Sequence, residues 1–217
     1  MSKKIEFACT HNNGRSPLAE AFAIEYIRDK GIEGYGISSS GTRADEINGF
    51  LAGTYELPDK DLRVIAQLGL ERSFVSDLKN IEKLLQNDNL SPEDIEGLTQ
   101  YARQTARTLV SEESQYRDIA FGKFGLALPK AINRQTIVRP DRGLLLGMGQ
   151  SNVREAESIY SGSGNQPVIE TLAGYAERNS GLEFKSGFGG DLKDYLAMAE
   201  EIRDYTQKSL DRAIQEI

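Results

Sequence analysis

The sequence contains a single cysteine, a single histidine and no tryptophan among its 217 residues. One cysteine excludes an internal disulfide and a zinc cluster built from thiolates. One histidine, His11, removes most metal sites and most Ser-His-Asp arrangements, so we expect neither a metal nor another cofactor. The chemistry of this chain must therefore be sought around Cys9, its only thiol.

Long apolar runs and an excess of basic residues are also absent. The longest apolar stretches, such as Leu144 to Leu146, are too short to span a bilayer, and the first residues lack the apolar region of a secretory signal. The formal net charge of -7 argues against a nucleic-acid surface, which requires an excess of Lys and Arg. We therefore expect a cytoplasmic protein that binds neither membrane nor nucleic acid and keeps Cys9 reduced.

Apolar strand patterns alternate with helical patterns along most of the chain. Residues 5–9 and 35–39 are typical of buried parallel strands, and Ser16-Pro17 between them predicts a helix start with Ser16 as N-cap. Further strands are predicted at residues 143–148 and 168–172, followed by a long amphipathic helix over residues 191–217. This order predicts an α/β fold built from strand–helix–strand units around a doubly wound sheet.

A polar segment of mostly helical pattern, residues 80–137, interrupts this alternation. Ser91 to Asp94 has the sequence of a capping box at a helix start. We predict one domain over residues 1–217 that carries a helical insertion at residues 80–137. The basic and aromatic residues of the insertion either pack in amphipathic helices, which we favour, or form a lid or partner surface. They are Tyr101, Arg103, Arg107, Tyr116, Arg117, Lys123 and Phe124.

Residues 9–15 connect the first strand to the first helix and predict an anion site. A short loop of this kind can curl so that successive backbone amides point inward and surround an anion. The helix start adds its positive dipole end, and Arg15 adds a planar fork for two phosphate oxygens. These surroundings favour a thiolate at Cys9, placed to attack phosphorus, with Ser16 as hydrogen-bond donor to the sulfur. The predicted phosphate-binding residues are Thr10, His11, Asn12, Asn13, Gly14 and Arg15.

The loop resembles the phosphate loop of the low-molecular-weight protein tyrosine phosphatase family, which also includes protein-arginine phosphatases and thioredoxin-coupled arsenate reductases. Three later blocks match in order: Ser39-Ser40-Gly41-Thr42, residues 145–153 and residues 188–195. The resemblance covers residues 3–72 and 140–217. It implies a four-stranded parallel sheet with helices on both faces. It also implies metal-free hydrolysis through a phosphocysteine on Cys9, with Arg15 and Ser16 as further catalytic residues.

One part of the family's machinery is missing from the sequence. The family's general acid is an Asp in an Asp-Pro pair, and the matching residues here are Ser186 and Gly187. The general acid is therefore left open. Its candidates are Asp191, Asp194 and Glu183, although for Asp191 we favour helix capping. His11 stands where the family usually has glycine, and it either adds charge or a proton beside the ligand or faces solvent.

The resemblance implies a cysteine-dependent phosphatase acting on a phosphorylated protein or a small phosphomonoester. Asn13 occupies a position on the substrate side and leaves the choice between phosphotyrosine and phosphoarginine open. The alternative, suggested by the missing acid, is a pseudophosphatase that binds phosphate or phosphoprotein without turnover. Arsenate reduction is less favoured, because that route needs further cysteines to resolve the cysteine–arsenic adduct.

Overall fold

The computed structural model describes residues 3–72, 78–164, 166–178, 181–184 and 189–216. The strands are β1 (Lys3–Cys9), β2 (Tyr35–Gly41), β3 (Leu144–Gly147) and β4 (Val168–Thr171). The helices are α1 (Arg15–Asp29), α2 (Ala44–Ala52), α3 (Asp59–Glu71), α4 (Leu78–Gln86), α5 (Pro92–Phe124), α6 (Gln150–Tyr160), α7 (Leu172–Ala176) and α8 (Leu192–Glu216). None of these described helices has the length and apolar character needed to cross a bilayer.

The strands form one parallel sheet in the order β2-β1-β3-β4, which confirms the predicted four-stranded parallel sheet. In the pairing register Phe7 lies opposite Ser39 of β2 and Leu146 of β3. The chain passes from β1 outward to β2, and from β3 outward in the other direction to β4. The strand order therefore reverses between β1 and β3, and parallel sheets bind ligands in the crevice beyond the carboxyl ends of such strands.

Helices cover both faces of the sheet, as predicted. On one face Ile5 and Phe7 pack in a core with residues of α1 and α8. On the other face Ala8 and Leu145 pack with Ala156 of α6. Because successive side chains of a strand point to opposite faces, this division follows from the alternation along β1 and β3. Burial on both faces explains why β3 is continuously apolar.

Helix α1 starts two residues before the predicted start. The helix begins at Arg15, and its N-cap is Gly14, which provides no side-chain cap. The prediction that Ser16 is the N-cap is wrong. Its hydroxyl instead lies within hydrogen-bond distance of Cys9 Sγ and the carbonyl oxygen of Ser40. It therefore stabilises the loop that precedes the helix rather than the helix end.

Residues 46–112 form a compact unit, and residues 1–45 with 113–217 form a second one. The core of the unit at 46–112 contains Phe50 of α2, Leu62 of α3 and Leu98 of α5. Because α2 and α3 share this core with α5, the unit begins at Glu46, well before residue 80. The single domain and the insertion over residues 80–137 stay predictions.

Helix α5 starts with the predicted capping box. The amide of Asp94 donates to Ser91 Oγ over 3.2 Å, and the amide of Ser91 donates back to Asp94 Oδ2 over 3.1 Å. Two of its arginines donate to nearby carbonyl oxygens, Arg103 to that of Phe50 and Arg107 to that of Leu51. These contacts agree with the favoured interpretation, in which the basic residues pack.

Candidate active site

Cys9 ends β1 and lies at the base of the loop that leads into α1. Its side chain is only 4% exposed. The backbone N–H of Asn12 points at Cys9 Sγ over 3.2 Å, and the hydroxyl of Ser16 donates to the same sulfur over 3.0 Å. Two donors on one sulfur stabilise a thiolate, since hydrogen bonds to an ionised acceptor are stronger than those to a neutral one.

The shape of the loop depends on Asn12, which adopts a left-handed backbone conformation with φ of +59°. Its side-chain amide donates to Ser16 Oγ over 3.0 Å and to Ser39 Oγ over 2.8 Å. Its side-chain oxygen accepts from the amide of Arg134 over 3.1 Å. Asparagine tolerates this conformation better than most residues, and here its donors and its acceptor also have buried partners.

Residues 133–136, which precede β3, form backbone hydrogen bonds with the loop between β1 and α1 and with the end of β2. The amide of Asn133 donates to the carbonyl oxygen of Asn12 over 2.9 Å, and the amide of Thr136 donates to that of Gly41 over 2.9 Å. Gly41 itself lies directly against the loop, because a Cβ there would come within 2.7 Å of the carbonyl carbon of His11. The loop backbone therefore passes through a space that only glycine leaves open.

The buried carboxyl group of Glu20 contacts both β2 and the segment that contains Arg134. Glu20 of α1 accepts from Ser39 Oγ over 2.6 Å and from the Arg134 guanidinium over 2.8 Å. Burial raises the pKa of the Glu20 carboxyl, while Ser39 and Arg134 lower it in part. Because Ser39 and Arg134 also contact Asn12, the Glu20 carboxyl helps to fix both partners of that residue.

The remaining predicted loop residues have distinct surroundings. Arg15 is half-buried and donates to the carbonyl oxygen of Phe184 over 3.1 Å. Thr10 accepts at Oγ1 from Asn152 over 3.2 Å, which ties the loop to the start of α6. His11 is buried, so the alternative in which it faces solvent is wrong; the loop folds its imidazole against the protein.

Helix α5 contacts the loop at Asn13. Asn13 Nδ2 donates to Glu113 Oε2 over 3.0 Å, and its side-chain oxygen accepts from Ser114 and from Arg117 over 3.1 Å each. Arg117 also donates to the backbone carbonyl oxygen of Asn13 over 3.0 Å. From the sequence, Arg117 is a candidate of the insertion with no assigned location, and Glu113 is not among the candidates. The available signal was the i,i+4 spacing of these two charged residues on the buried face of a long helix.

Glu113 and Tyr195 of α8 both lie over Gly14. A Cβ at Gly14 would come within 2.7 Å of Glu113 Oε1 and within 2.9 Å of Tyr195 Oη. Tyr195 is 1% exposed, and its hydroxyl has no hydrogen-bond partner among the described residues. Burial and then the charge of Glu113 raise the pKa of Tyr195 well above its usual value, so its hydroxyl remains a donor at neutral pH.

The three candidates for the general acid are placed at helix starts, and Ser186 and Gly187 lie outside the described residues. Asp191 Oδ1 accepts from the amide of Asp194 over 2.8 Å and caps α8, as favoured from the sequence. Asp194 itself is exposed in the first turn of that helix. Glu183 Oε1 accepts from the amide of Gln150 over 2.9 Å at the start of α6.

The groups gathered at Cys9 suit an anion. The Asn12 amide and the Ser16 hydroxyl donate to its sulfur, and donors of this kind hold phosphate oxygens. Within the described residues, no three thiol, imidazole or carboxylate side chains are grouped as metal ligands are. A cysteine at the base of such a loop, beside the point where the strand order reverses, makes this an α/β protein with a candidate anion site.

Comparison with known proteins agrees with this class. Residues 4–57 match the family model described as low molecular weight phosphotyrosine protein phosphatase. A solved structure of a YwlE mutant from Bacillus subtilis is 17% identical, with a TM-score of 0.58 over 99% of this chain and 100% of that one. No curated protein matches. The predicted resemblance to the low-molecular-weight phosphatase family is therefore confirmed over residues 4–57.

Two further solved structures share the fold. A Drosophila arginine phosphatase is 15% identical, with a TM-score of 0.58 over 98% of this chain and 96% of that one. A low molecular weight protein tyrosine phosphatase from T. tengcongensis is 17% identical, with a TM-score of 0.53 over all of both chains. At these identities the match concerns the fold, which is the predicted one.

Proposed function

We propose that this chain is a cysteine-dependent phosphatase that forms a phosphocysteine intermediate on Cys9. The observation that carries the proposal is the pair of donors on Cys9 Sγ, from the Asn12 amide and the Ser16 hydroxyl. A solved structure of the YwlE arginine phosphatase supports it, because that cysteine-to-serine mutant holds a phosphorylated active-site serine. That protein is 16% identical to this chain, with a TM-score of 0.56.

In the proposed reaction the loop amides of residues 10–14 and the Arg15 guanidinium bind the three non-bridging oxygens of the phosphoryl group. The Cys9 thiolate attacks phosphorus as the bond to the leaving-group oxygen breaks, and that oxygen takes up a proton. Water then attacks the phosphocysteine, the P–S bond breaks, and inorganic phosphate leaves. Ser16 stabilises the sulfur as nucleophile in the first step and as leaving group in the second.

The proposed substrate is a phosphorylated protein or a small phosphomonoester in the cytoplasm. The resemblance implies that Asn13 is on the substrate side of the loop, and here its side-chain amide is buried and held by α5. Matched peptides that carry either phosphotyrosine or phosphoarginine distinguish the two substrate classes. The preferred peptide is the one with the higher kcat/KM at neutral pH.

The test is hydrolysis of p-nitrophenyl phosphate by the intact chain and by two variants, Cys9→Ser and Arg15→Ala. We expect turnover by the intact chain and none by Cys9→Ser, because a serine hydroxyl is not ionised at neutral pH. Arg15→Ala is expected to lose phosphate affinity and rate together. Arg154→Ala, which removes an exposed arginine of α6, is the matched control. Normal turnover by Cys9→Ser contradicts the proposal.

The same experiment addresses the alternative of a phosphate-binding pseudophosphatase. That alternative requires no turnover of p-nitrophenyl phosphate by the intact chain. It also requires binding of inorganic phosphate, measured by calorimetry, that is lost in Arg15→Ala and kept in Arg154→Ala.

A further inference from the structure

We propose that Glu113 of α5 is the proton donor to the leaving group, in place of the acid that Ser186-Gly187 does not provide. This inference rests on the proposed function, since it assigns one further role in the same reaction. It places a catalytic carboxyl on a helix of the segment for which sequence comparison offers no counterpart.

The position of the Glu113 carboxyl carries the proposal. Its Oε2 accepts from the side chain of Asn13 over 3.0 Å, and its Oε1 lies against Gly14, the residue that precedes Arg15. Both contacts are with the phosphate loop itself. The side chain is 7% exposed, so the carboxyl belongs to the interior of the site.

A buried carboxyl at this place needs a physical reason. A general acid enters the reaction with its proton bound, and the proposal assigns that proton to Glu113. A protonated carboxyl has one O–H to donate. An acceptor that becomes more basic during the reaction, the leaving-group oxygen, is the natural partner for that proton.

Tyr195 supplies an independent observation at the same place. Its hydroxyl lies with Glu113 over Gly14, is buried, and has no hydrogen-bond partner among the described residues. Buried hydroxyls in native proteins nearly always have a partner. A substrate oxygen bound over the loop gives this hydroxyl a partner, so ligand is expected on the side where Glu113 lies.

Three other described carboxylates near this end of the sheet have hydrogen-bond partners of their own. Asp191 caps α8 and Glu183 accepts the first amide of α6. Glu20 is held by Ser39 and Arg134 beneath the loop. Among the described carboxylates with these contacts, Glu113 is the one that touches two consecutive loop residues from outside the loop.

Cys9 Sγ forms a bond to phosphorus, the P–O bond to the leaving group breaks with its electron pair on oxygen, and Glu113 transfers its proton to that oxygen. In the second step the Glu113 carboxylate takes a proton from the attacking water. The P–S bond then breaks, and thiolate, phosphate and protonated Glu113 are restored.

The test compares two substrates that differ in how much they need an acid. Nitrophenolate departs with little help, whereas phenolate, from phenyl phosphate, needs a proton. We expect Glu113→Gln to lower kcat/KM for phenyl phosphate by about 10²–10⁴-fold and to lower the p-nitrophenyl phosphate value much less. Glu112→Gln is the matched control, because its carboxylate pairs with Arg72 rather than with the loop. It is expected to leave both values unchanged.

If Glu113→Gln lowers kcat/KM equally for both substrates, the inference is overturned and Glu113 is assigned to positioning Asn13. In that case the Cys9-dependent hydrolysis of p-nitrophenyl phosphate still supports the proposed function. If the intact chain turns over neither substrate, both the role of Glu113 and the proposed function are overturned. If Glu113→Gln does not fold, as judged by circular dichroism, Glu113→Asp replaces it. Aspartate keeps the carboxyl group on a side chain that is one methylene shorter. The loss of kcat/KM in Glu113→Asp must therefore again be larger for phenyl phosphate than for p-nitrophenyl phosphate.

Discussion

The hydroxyl of Ser16 lies 3.0 Å from the sulfur of Cys9, although one residue belongs to α1 and the other ends β1. The same hydroxyl accepts from the Asn12 side chain over 3.0 Å and lies 3.1 Å from the carbonyl oxygen of Ser40. A hydroxyl can donate one hydrogen only, so sulfur and carbonyl compete for it. An ionised sulfur is the stronger acceptor, and the proton is expected there when Cys9 is a thiolate.

Replacing Ser16 by alanine removes this donor from the sulfur. A hydrogen bond to a charged group contributes about 1.5–3 kcal/mol, so kcat on p-nitrophenyl phosphate is expected to fall by about 10–100-fold. Ser158→Ala, at an exposed position of α6, is the control. An unchanged kcat in Ser16→Ala shows that the hydroxyl bonds the Ser40 carbonyl in the working enzyme.

The left-handed conformation of Asn12 gives a second prediction. Both Asn12→Ala and Asn12→Gly lose the side-chain bonds to Ser16 and Ser39, but only glycine adopts a φ of +59° without strain. The alanine variant is therefore expected to be less stable than the glycine variant by about 1 kcal/mol. Urea denaturation measures the difference. Equal stabilities contradict the assigned backbone conformation.

The close approach at Gly41 gives a third prediction. In Gly41→Ala the new methyl group meets the backbone of His11 and Asn12, which cannot move aside as a flexible side chain does. We expect a loss of about 1–3 kcal/mol in the free energy of unfolding, together with lower activity because the loop shifts. Gly97→Ala, at an exposed position of α5, is the control, since nothing lies near its added methyl group. That control is expected to be stabilised by about 0.5–1 kcal/mol.

Glu20 gives a prediction about pH. Its pKa is raised above the ordinary 4.5 by burial, so the folded state holds this proton at pH values where the unfolded state has released it. The unfolded state then binds fewer protons, and the free energy of unfolding falls as pH rises from about 4.5 through the raised value. Glu20→Gln has no such titration. The stability of the natural chain relative to Glu20→Gln must therefore decline over this window in urea denaturation; a rise contradicts the raised pKa.

The strands and the loop were predictable because their signals are local. The apolar runs at 5–9 and 144–146 mark buried parallel strands, and the spacing of Cys9 and Arg15 marks the loop between strand and helix. Helix α2 was not predicted; its sequence includes Gly49, which weakens a helical pattern. The N-cap at Ser16 was predicted wrongly because tertiary bonds to Cys9 and Ser40 take the hydroxyl that capping requires.

The supporting residues of the site were not predictable from one sequence. Glu113 lies 100 residues from its partner Asn13, and Arg134 lies 122 residues from Asn12. No local pattern marks such pairs, because the periodicity of α5 shows which side of the helix is buried but not what it is buried against. The identity of the partner depends on how the segments around 113 and 134 return to the loop.

The distances along the chain also bear on how the protein is made. Arg15 is held by the carbonyl of Phe184, 169 residues further on, and Gly14 lies under Tyr195. A polypeptide that emerges from the ribosome N-terminus first has its Cys9 segment outside long before these partners exist. The loop therefore reaches its final form only after residue 195 has emerged, and until then the thiol lacks the contacts that bury it.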